Sequence, residues 1–114
     1  EYKPFIDNGS MDIVSIDIVW NGFLQSKKIA DYADVSLLNI TPHNFNGILS
    51  TFISAHFSAI TPNLKIMEID MDDVPWREEL FTVLPKISNG NMDIPEGPGW
   101  GTEINEKILK KYEL

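Results

Sequence analysis

The chain has 114 residues, of which 43% are hydrophobic and 23% charged, so it is long enough for one small globular domain. No apolar stretch approaches the ~20 residues that a membrane helix needs, and a formal charge of -8 repels polyanions, so we expect neither a membrane nor nucleic acid as a partner. Cysteine is absent, which excludes disulfides and thiolate metal sites, and the first residues lack the pattern of a signal peptide, so we expect a cytoplasmic protein.

The first 70 residues alternate short apolar runs with segments of helical spacing. After a helix tail that closes at Asn8-Gly9, β-branched residues predict a strand over 13–18, and apolar spacing predicts a helix over 22–33. The order then repeats, with a strand over 35–40, a loop over 41–47, an apolar helix over 48–60 that Pro62 ends, and a third strand over 64–69. This βαβαβ order indicates a parallel sheet with right-handed crossovers.

The remaining residues have a different character. Acidic residues cluster between 70 and 79, a Pro/Gly-rich segment spans 94–101, and a short final helix is predicted over 105–112. We interpret this part as an extension laid over the core, in which Trp76 and Trp100 anchor an irregular backbone. The acidic run 70–73 lacks the glycine and distal glutamate of a calcium loop, so a solvated turn is the favoured interpretation.

Three polar residues stand at the ends of the predicted strands. They are Asp17, His43 and Glu68. Because ligands and chemistry lie at the carboxyl ends of parallel strands, we predict that these side chains share one site. Histidine is the side chain best suited to proton transfer near neutral pH, and a carboxylate on one ring nitrogen fixes its tautomer. Asp17 is the predicted carboxylate partner of His43.

Each of these residues also has a structural alternative. Asp17 could cap a helix or loop beside Asn21, and His43 could be an ordinary turn residue after proline. Glu68 could be paired with Lys65 or Arg77. His56, inside the apolar helix, is better explained as a packing residue than as a ligand.

Four segments together resemble a known family. They are the strand ending at Asp17 with Asn21-Gly22 after it, the loop over 41–46, the Pro62-Asn63 turn before Glu68, and the Pro/Gly-rich segment over 94–101. In this order they resemble the C-terminal portion of the enolase superfamily, in its mandelate racemase subgroup, with acid-sugar dehydratases as the nearest relatives. The resemblance implies an α/β fold: residues 1–70 would form the last three strands and helices of a (β/α)7β TIM-type barrel, and 71–114 a C-terminal segment of the capping domain.

The resemblance also implies a reaction. Such enzymes use Mg²⁺ to stabilise the enediolate that forms when the proton α to a carboxylate is removed. The metal ligands and a lysine base lie on strands that this chain does not contain, so we expect no metal ligand here. The implied catalytic residues are His43, Asp17 and Glu68, and we add Asn44 and Trp20 as expected substrate contacts.

The expected function is therefore that of a C-terminal fragment of a Mg²⁺-dependent acid-sugar dehydratase. The cycloisomerase branch has a lysine where this chain has Asp17, which favours the dehydratase and racemase branch. The alternatives are a racemase or epimerase of the same subgroup, a freestanding binding domain, or a non-catalytic piece that completes another polypeptide's barrel. A closed barrel typically needs about 250 residues, so we expect the fragment alone to be inactive. Its expected partners are a sugar-acid substrate, the N-terminal remainder and further copies in a homo-oligomer.

Overall fold

The computed structural model describes residues 1–71 and 76–112. The elements in chain order are α1 (Lys3–Asp7), β1 (Ile13–Asp17), α2 (Ile18–Asn21), α3 (Phe23–Val35), β2 (Asn39–His43), α4 (Gly47–Ala59), a 3₁₀ helix (Glu78–Leu80), β3 (Ile87–Ser88), β4 (Asn91–Met92) and α5 (Glu106–Tyr112). Among the described residues, none of the helices is both long and apolar enough to cross a membrane. The predicted strand over 13–18 and the predicted helices over 22–33, 48–60 and 105–112 are confirmed with small changes in their ends.

Strands β1 and β2 pair in parallel, with Ile13 opposite Asn39 and Asp17 opposite His43. Helices α3 and α4 follow these two strands, so the predicted alternation of strand and helix is confirmed. The buried core gathers apolar residues of both strands, of α3 and α4, and of the short helices α1 and α2, namely Ile6, Val14, Ile16, Ile18, Ile29, Ala30, Ala33, Ile40 and Phe57. Packing of these residues holds the ends of β1 and β2 side by side, which is what positions the candidate site.

The second strand begins later than predicted. Helix α3 continues to Val35, and the chain then turns through Leu37, whose φ of 60° lies in the left-handed region. The Leu38 N–H donates to the Ala33 carbonyl and the Leu37 N–H to the Asp34 carbonyl. These are the two bonds of a Schellman motif, which usually has glycine at the left-handed position. Because this position holds leucine, the sequence did not signal the end of the helix.

The third predicted strand is only partly formed. Leu64 makes a single parallel bridge to Ile40, and the Lys65 N–H donates to the Ile40 carbonyl at 2.9 Å. The next donor that a regular parallel ladder needs on β2 would come from Pro42, which has no N–H. The Thr41 hydroxyl instead donates to the Ile66 carbonyl at 2.7 Å. The expected strand over 64–69 is therefore wrong as a regular strand, although the segment does run beside β2.

The segment between 76 and 112 folds as short elements. Strands β3 and β4 form a hairpin through Asn89 and Gly90, both with positive φ, a turn that the Asn-Gly pair favours and that we did not predict. The prediction that aromatic residues anchor this segment is confirmed for Trp100. Its ring centroid lies 5.9 Å from that of Phe23 and 5.7 Å from that of His56. The same contact confirms His56 as a packing residue.

The interpretation of residues 70–73 as a solvated turn is wrong for Asp70. Asp70 is buried, and its carboxylate lies 3.9 Å from the Arg77 guanidinium. Arg77 also donates to the main-chain carbonyl of Asp70 at 2.9 Å. Asp72 and Asp73 lie outside the described residues.

Candidate active site at the strand ends

The structure brings Asp17 and His43 together at the ends of β1 and β2. The two residues are opposite each other in the parallel register, and Asp17 Oδ2 lies 2.9 Å from His43 Nδ1. Because an ionised carboxylate only accepts hydrogen bonds, Nδ1 carries the proton and donates it to Asp17. The other ring nitrogen, Nε2, is then the one that can exchange a proton with a ligand. The His43 side chain is 44% exposed and that of Asp17 only 9%, so the imidazole faces outward and its partner lies behind it.

Asp17 also has the structural role that the sequence offered as its alternative. It is the N-cap of α2, where Oδ1 accepts the Trp20 N–H at 2.9 Å. Its Oδ2 accepts a second bond, from the Asn46 amide at 3.1 Å. Burial by itself raises the pKa of Asp17, but the bonds from Trp20, His43 and Asn46 outweigh burial and lower the pKa below its ordinary value. Asp17 is thus both a helix cap and an ionised partner for His43.

Glu68 lies on the other side of the imidazole. Its Oε2 is 3.8 Å from His43 Nε2, close enough for an ion pair but too far for a hydrogen bond. The same oxygen accepts the main-chain N–H of Asn44 at 2.9 Å, and the Glu68 N–H donates to the Pro42 carbonyl at 3.2 Å. These two bonds tie Glu68 to the end of β2. All three predicted residues therefore lie at one edge of the sheet.

Asn44 does not face this edge as we expected. Its side chain is fully buried, and its amide nitrogen donates to the Thr51 hydroxyl at 2.9 Å and to the Glu68 carbonyl at 3.2 Å. Its Oδ1 is a buried acceptor without a hydrogen-bond partner among the described residues. A side chain with no exposed surface cannot contact a substrate, so the geometry favours a role in fixing the Glu68 backbone over the predicted substrate contact.

Trp20 forms an exposed rim beside the histidine. The residue is 80% exposed, and the centroid of its ring lies 6.5 Å from that of His43. It is carried by α2, a four-residue helix that we did not predict, which Asp17 caps and which ends where Gly22 adopts a φ of 77°. This geometry is compatible with the predicted role in substrate binding.

Asn46 is a site residue that sequence reasoning missed. It stands at the N-cap of α4, just before Gly47, and it reaches Asp17 across 29 positions of sequence. The available signal was an asparagine immediately before a helix, but that signal predicts a cap and not a contact with another strand.

The described residues do not form a metal site. They contain no group of three or more histidine and carboxylate side chains that could hold an ion. The arrangement offers proton transfer at His43 Nε2 and hydrogen bonding at Glu68, but not a ligand set for a divalent cation.

Comparison with known proteins gives matches along nearly the whole chain. A family model described as enolase C-terminal domain-like matches residues 1–108. A D-xylonate dehydratase of Haloferax volcanii is 31% identical over 96% of this chain and 27% of its own length.

Solved structures agree with this match. A Burkholderia xenovorans protein provisionally assigned as an L-alanine-DL-glutamate epimerase, bound to magnesium and fumarate, is 47% identical with a TM-score of 0.93, over 97% of this chain and 28% of its own. An Agrobacterium tumefaciens enolase of the mandelate racemase subgroup is 32% identical with a TM-score of 0.86, over 96% of this chain and 30% of its own. The chain thus spans less than a third of the length of each of these proteins.

Proposed function

The chain belongs to the enolase C-terminal domain-like family, and from this premise we propose that it is the C-terminal portion of an acid-sugar dehydratase of the mandelate racemase subgroup. The fold is that of the last part of a TIM-type barrel, which matches the solved enolases. The observation that carries the proposal is the 2.9 Å contact between His43 Nδ1 and Asp17 Oδ2 at neighbouring strand ends. It leaves an exposed imidazole nitrogen ready to exchange a proton with a ligand.

In the proposed reaction, His43 is the general acid for the leaving hydroxyl. A base elsewhere in the protein takes the proton α to the substrate carboxylate, and the electron pair of that C–H bond forms a carbon–carbon double bond. The C–O bond of the β-hydroxyl breaks, and the hydroxyl leaves as water with the Nε2 proton of His43 in its imidazolium form, which becomes the neutral Nδ1–H imidazole. The enol that remains tautomerises to a 2-keto-3-deoxy acid. Asp17 keeps the Nδ1–H bond throughout, so the imidazole stays in one orientation.

Glu68 and Trp20 have supporting roles in this proposal. Glu68 lies on the Nε2 side of His43 and would hydrogen-bond the substrate next to the reacting carbon. Trp20 would cover one side of the sugar chain with an apolar face, as exposed aromatic residues at binding sites do. Asn44 does not contact the substrate in this proposal, and it holds Glu68 in place through its hydrogen bonds to that residue.

We extend the proposal to Mg²⁺ as the cofactor of the complete enzyme. When bound, it would act as a Lewis acid on the substrate carboxylate. The described residues do not fit a magnesium site, so its ligands would have to come from elsewhere. No step assigned here to His43, Asp17 or Glu68 passes through the metal.

The test is turnover of sugar acids by the full-length protein that contains this chain. D-xylonate and related aldonates would be incubated with the wild type and with His43→Gln, and the keto acid product would be measured. Loss of a general acid lowers kcat by about 10² to 10⁴. His56→Gln is the matched control, because His56 is the only other histidine of the chain and packs against Trp100, so it should keep wild-type turnover. Equal losses in the two variants would contradict the assignment of His43.

A racemase or epimerase is the second candidate. The 47% identity to the structure provisionally assigned as an epimerase favours it. Both reactions begin with removal of an α proton, but an epimerase returns a proton to the opposite face and releases no water. The test is incubation of the full-length protein with L-alanine-L-glutamate in D₂O. Deuterium at the α carbon of the glutamate residue, with inversion at that carbon and without a keto acid product, would favour an epimerase over a dehydratase.

The proposal also requires a partner for this chain. Because the chain spans 27% of the D-xylonate dehydratase, the remaining barrel strands and the base would be supplied by an N-terminal remainder. We propose that the complete protein acts as a homo-oligomer. If the chain instead serves as a non-catalytic interaction piece, adding the remainder should restore a folded complex without any Mg²⁺-dependent turnover.

A further inference from the structure

Asn46 occupies a helix-capping position without capping the helix. Asparagine is among the preferred N-cap residues, because its side-chain oxygen normally accepts an N–H of the first turn. At the start of α4, Asn46 makes no such side-chain bond. Its Nδ2 instead lies 3.1 Å from Asp17 Oδ2. The side chain is thus directed away from its own helix and toward the carboxylate behind His43.

The oxygen that Asn46 contacts is the one that receives the His43 proton. Oδ2 of Asp17 accepts from both His43 Nδ1 and Asn46 Nδ2, while Oδ1 accepts the Trp20 N–H. Because a carboxylate offers no donor, the amide must present its nitrogen and not its oxygen. Because both carboxylate oxygens accept hydrogen bonds, the carboxylate plane cannot rotate without losing a bond. Asn46 thus supplies a second donor to the oxygen that accepts the His43 Nδ1–H.

We propose that Asn46 is a positioning residue, which holds the Asp17 carboxylate in the rotation that receives the His43 Nδ1–H. Its effect on catalysis rests on the proposed function of the Asp17–His43 pair. The tautomer of a histidine is set by the bond that its second nitrogen makes. Asn46 therefore acts on His43 through Asp17, and it keeps Nε2 as the nitrogen that meets the substrate.

The test uses Asn46→Ala in the full-length protein with ¹⁵N-labelled histidine. The His43 resonances are assigned by their absence in His43→Gln, and their ¹⁵N chemical shifts report which nitrogen carries the proton. In Asn46→Ala we expect a smaller population of the Nδ1–H tautomer and faster exchange of that proton with water. On a substrate, we expect kcat to fall by roughly 10-fold with KM changed less than about twofold, at the lower end of the losses seen when the hydrogen-bond partner of a metal-binding histidine is removed.

Two further variants distinguish the contact with Asp17 from a general disturbance of the helices. Asn46→Ser retains a preferred N-cap residue but is too short to reach Asp17, so it should reproduce the tautomer change even if alanine disturbs the helix. Asn21→Ala is the matched control, because the Asn21 amide donates to the main-chain oxygen of Asp17 at 2.8 Å and not to its carboxylate. It should leave the His43 spectrum unchanged.

The outcomes separate this inference from the proposed function. A wild-type His43 spectrum in both Asn46 variants, or the same spectral change in Asn21→Ala, would overturn the positioning role. The spectral readout needs no turnover. If the Asn46 variants change the His43 spectrum while the wild type dehydrates no sugar acid, the positioning role stands and the proposed function fails.

Discussion

Residues 1–71 and residues 76–112 are built in different ways. The first region contains the buried apolar core, from Ile6 to Phe57. In the second region, the described residues include a single buried position, Gly101. Its order comes from turns, from main-chain bonds such as Asn105 N–H to the Leu80 carbonyl at 2.7 Å, and from half-exposed aromatic contacts.

The difference explains why the candidate site is where it is. A proton-transfer pair needs side chains held to a fraction of an ångström, and close-packed interiors resist displacement. Asp17, His43 and Glu68 all lie in or beside the packed first region. The second region contributes contacts on its outside, such as Trp100 against Phe23. We therefore expect the effects of substitutions on stability to differ between the two regions, both in magnitude and in which part of the chain is affected.

The largest effect on stability is expected at Phe57. This ring is fully buried and meets the Phe23 ring edge-on with centroids 5.6 Å apart. Phe57→Ala should lower the free energy of unfolding by about 3–5 kcal/mol, because it leaves a cavity in the core. Urea denaturation measures the loss. Phe45→Ala, at a position 57% exposed, is the control and should cost under about 0.5 kcal/mol; similar losses for both would remove the distinction between core and surface.

An intermediate effect, confined to the second region, is expected at Gly101. Its φ is 78°, and an added Cβ would lie 2.4 Å from Pro95 Cβ. Gly99 also has a positive φ, of 62°, but nothing lies within 4 Å of its Cβ position. Gly101→Ala should therefore destabilise this region by about 1–3 kcal/mol more than Gly99→Ala does, because only the first variant adds a clash to the backbone strain.

Hydrogen exchange would show whether that effect stays local. We expect faster exchange at the amides of Thr82 and Asn105, which bond within the second region, and unchanged exchange in β1. Faster exchange in β1 of Gly101→Ala would mean that the two regions unfold together, and the comparison between them would fail.

The smallest effect is expected in the contribution of Asp17 to the pH dependence of stability. Burial raises the pKa of this carboxyl, and the bonds from Trp20, His43 and Asn46 outweigh it, so the folded pKa is below the unfolded one. The stabilisation is therefore fully present above the unfolded pKa of about 3.9, and is lost as pH falls through the folded value. Asp17→Asn should show a weaker loss of stability between pH 6 and pH 3 than the wild type, measured by urea midpoints.

Asp7 provides the comparison for that measurement. Its carboxylate bonds Lys3 and Tyr32 on the surface, and these bonds lower its pKa. Added salt screens exposed pairs far more than buried ones. The loss of stability at low pH that comes from Asp7 should therefore become smaller in 1 M NaCl, whereas the loss that comes from Asp17 should persist. Equal sensitivity to salt would show that Asp17 is not shielded as the structure indicates.

The sequence by itself determined the alternation of strand and helix and the choice of residues for the candidate site. Apolar spacing in α3 and α4, the β-branched run of β1, and the polar residues Asp17, His43 and Glu68 after apolar runs are local patterns. Parallel pairing brings the carboxyl ends of β1 and β2 to one edge, so local patterns were sufficient to predict that Asp17 and His43 meet. Glu68 reaches the same edge through its bonds to Asn44 and Pro42, although its segment is not a regular strand.

Only the tertiary structure decided the rest. It ended α3 with Leu37 in a left-handed conformation, interrupted the third strand because Pro42 offers no N–H, buried Asn44, and turned Asn46 from its helix to Asp17. For Asn44 and Asn46 the local pattern does not specify the deciding hydrogen-bond partner, because the Asn44 amide reaches Glu68 and the Asn46 amide reaches Asp17, 24 and 29 residues away. Short-range patterns reflect backbone preference and burial, whereas the partner of a polar side chain is fixed only when the packed core brings distant segments into contact.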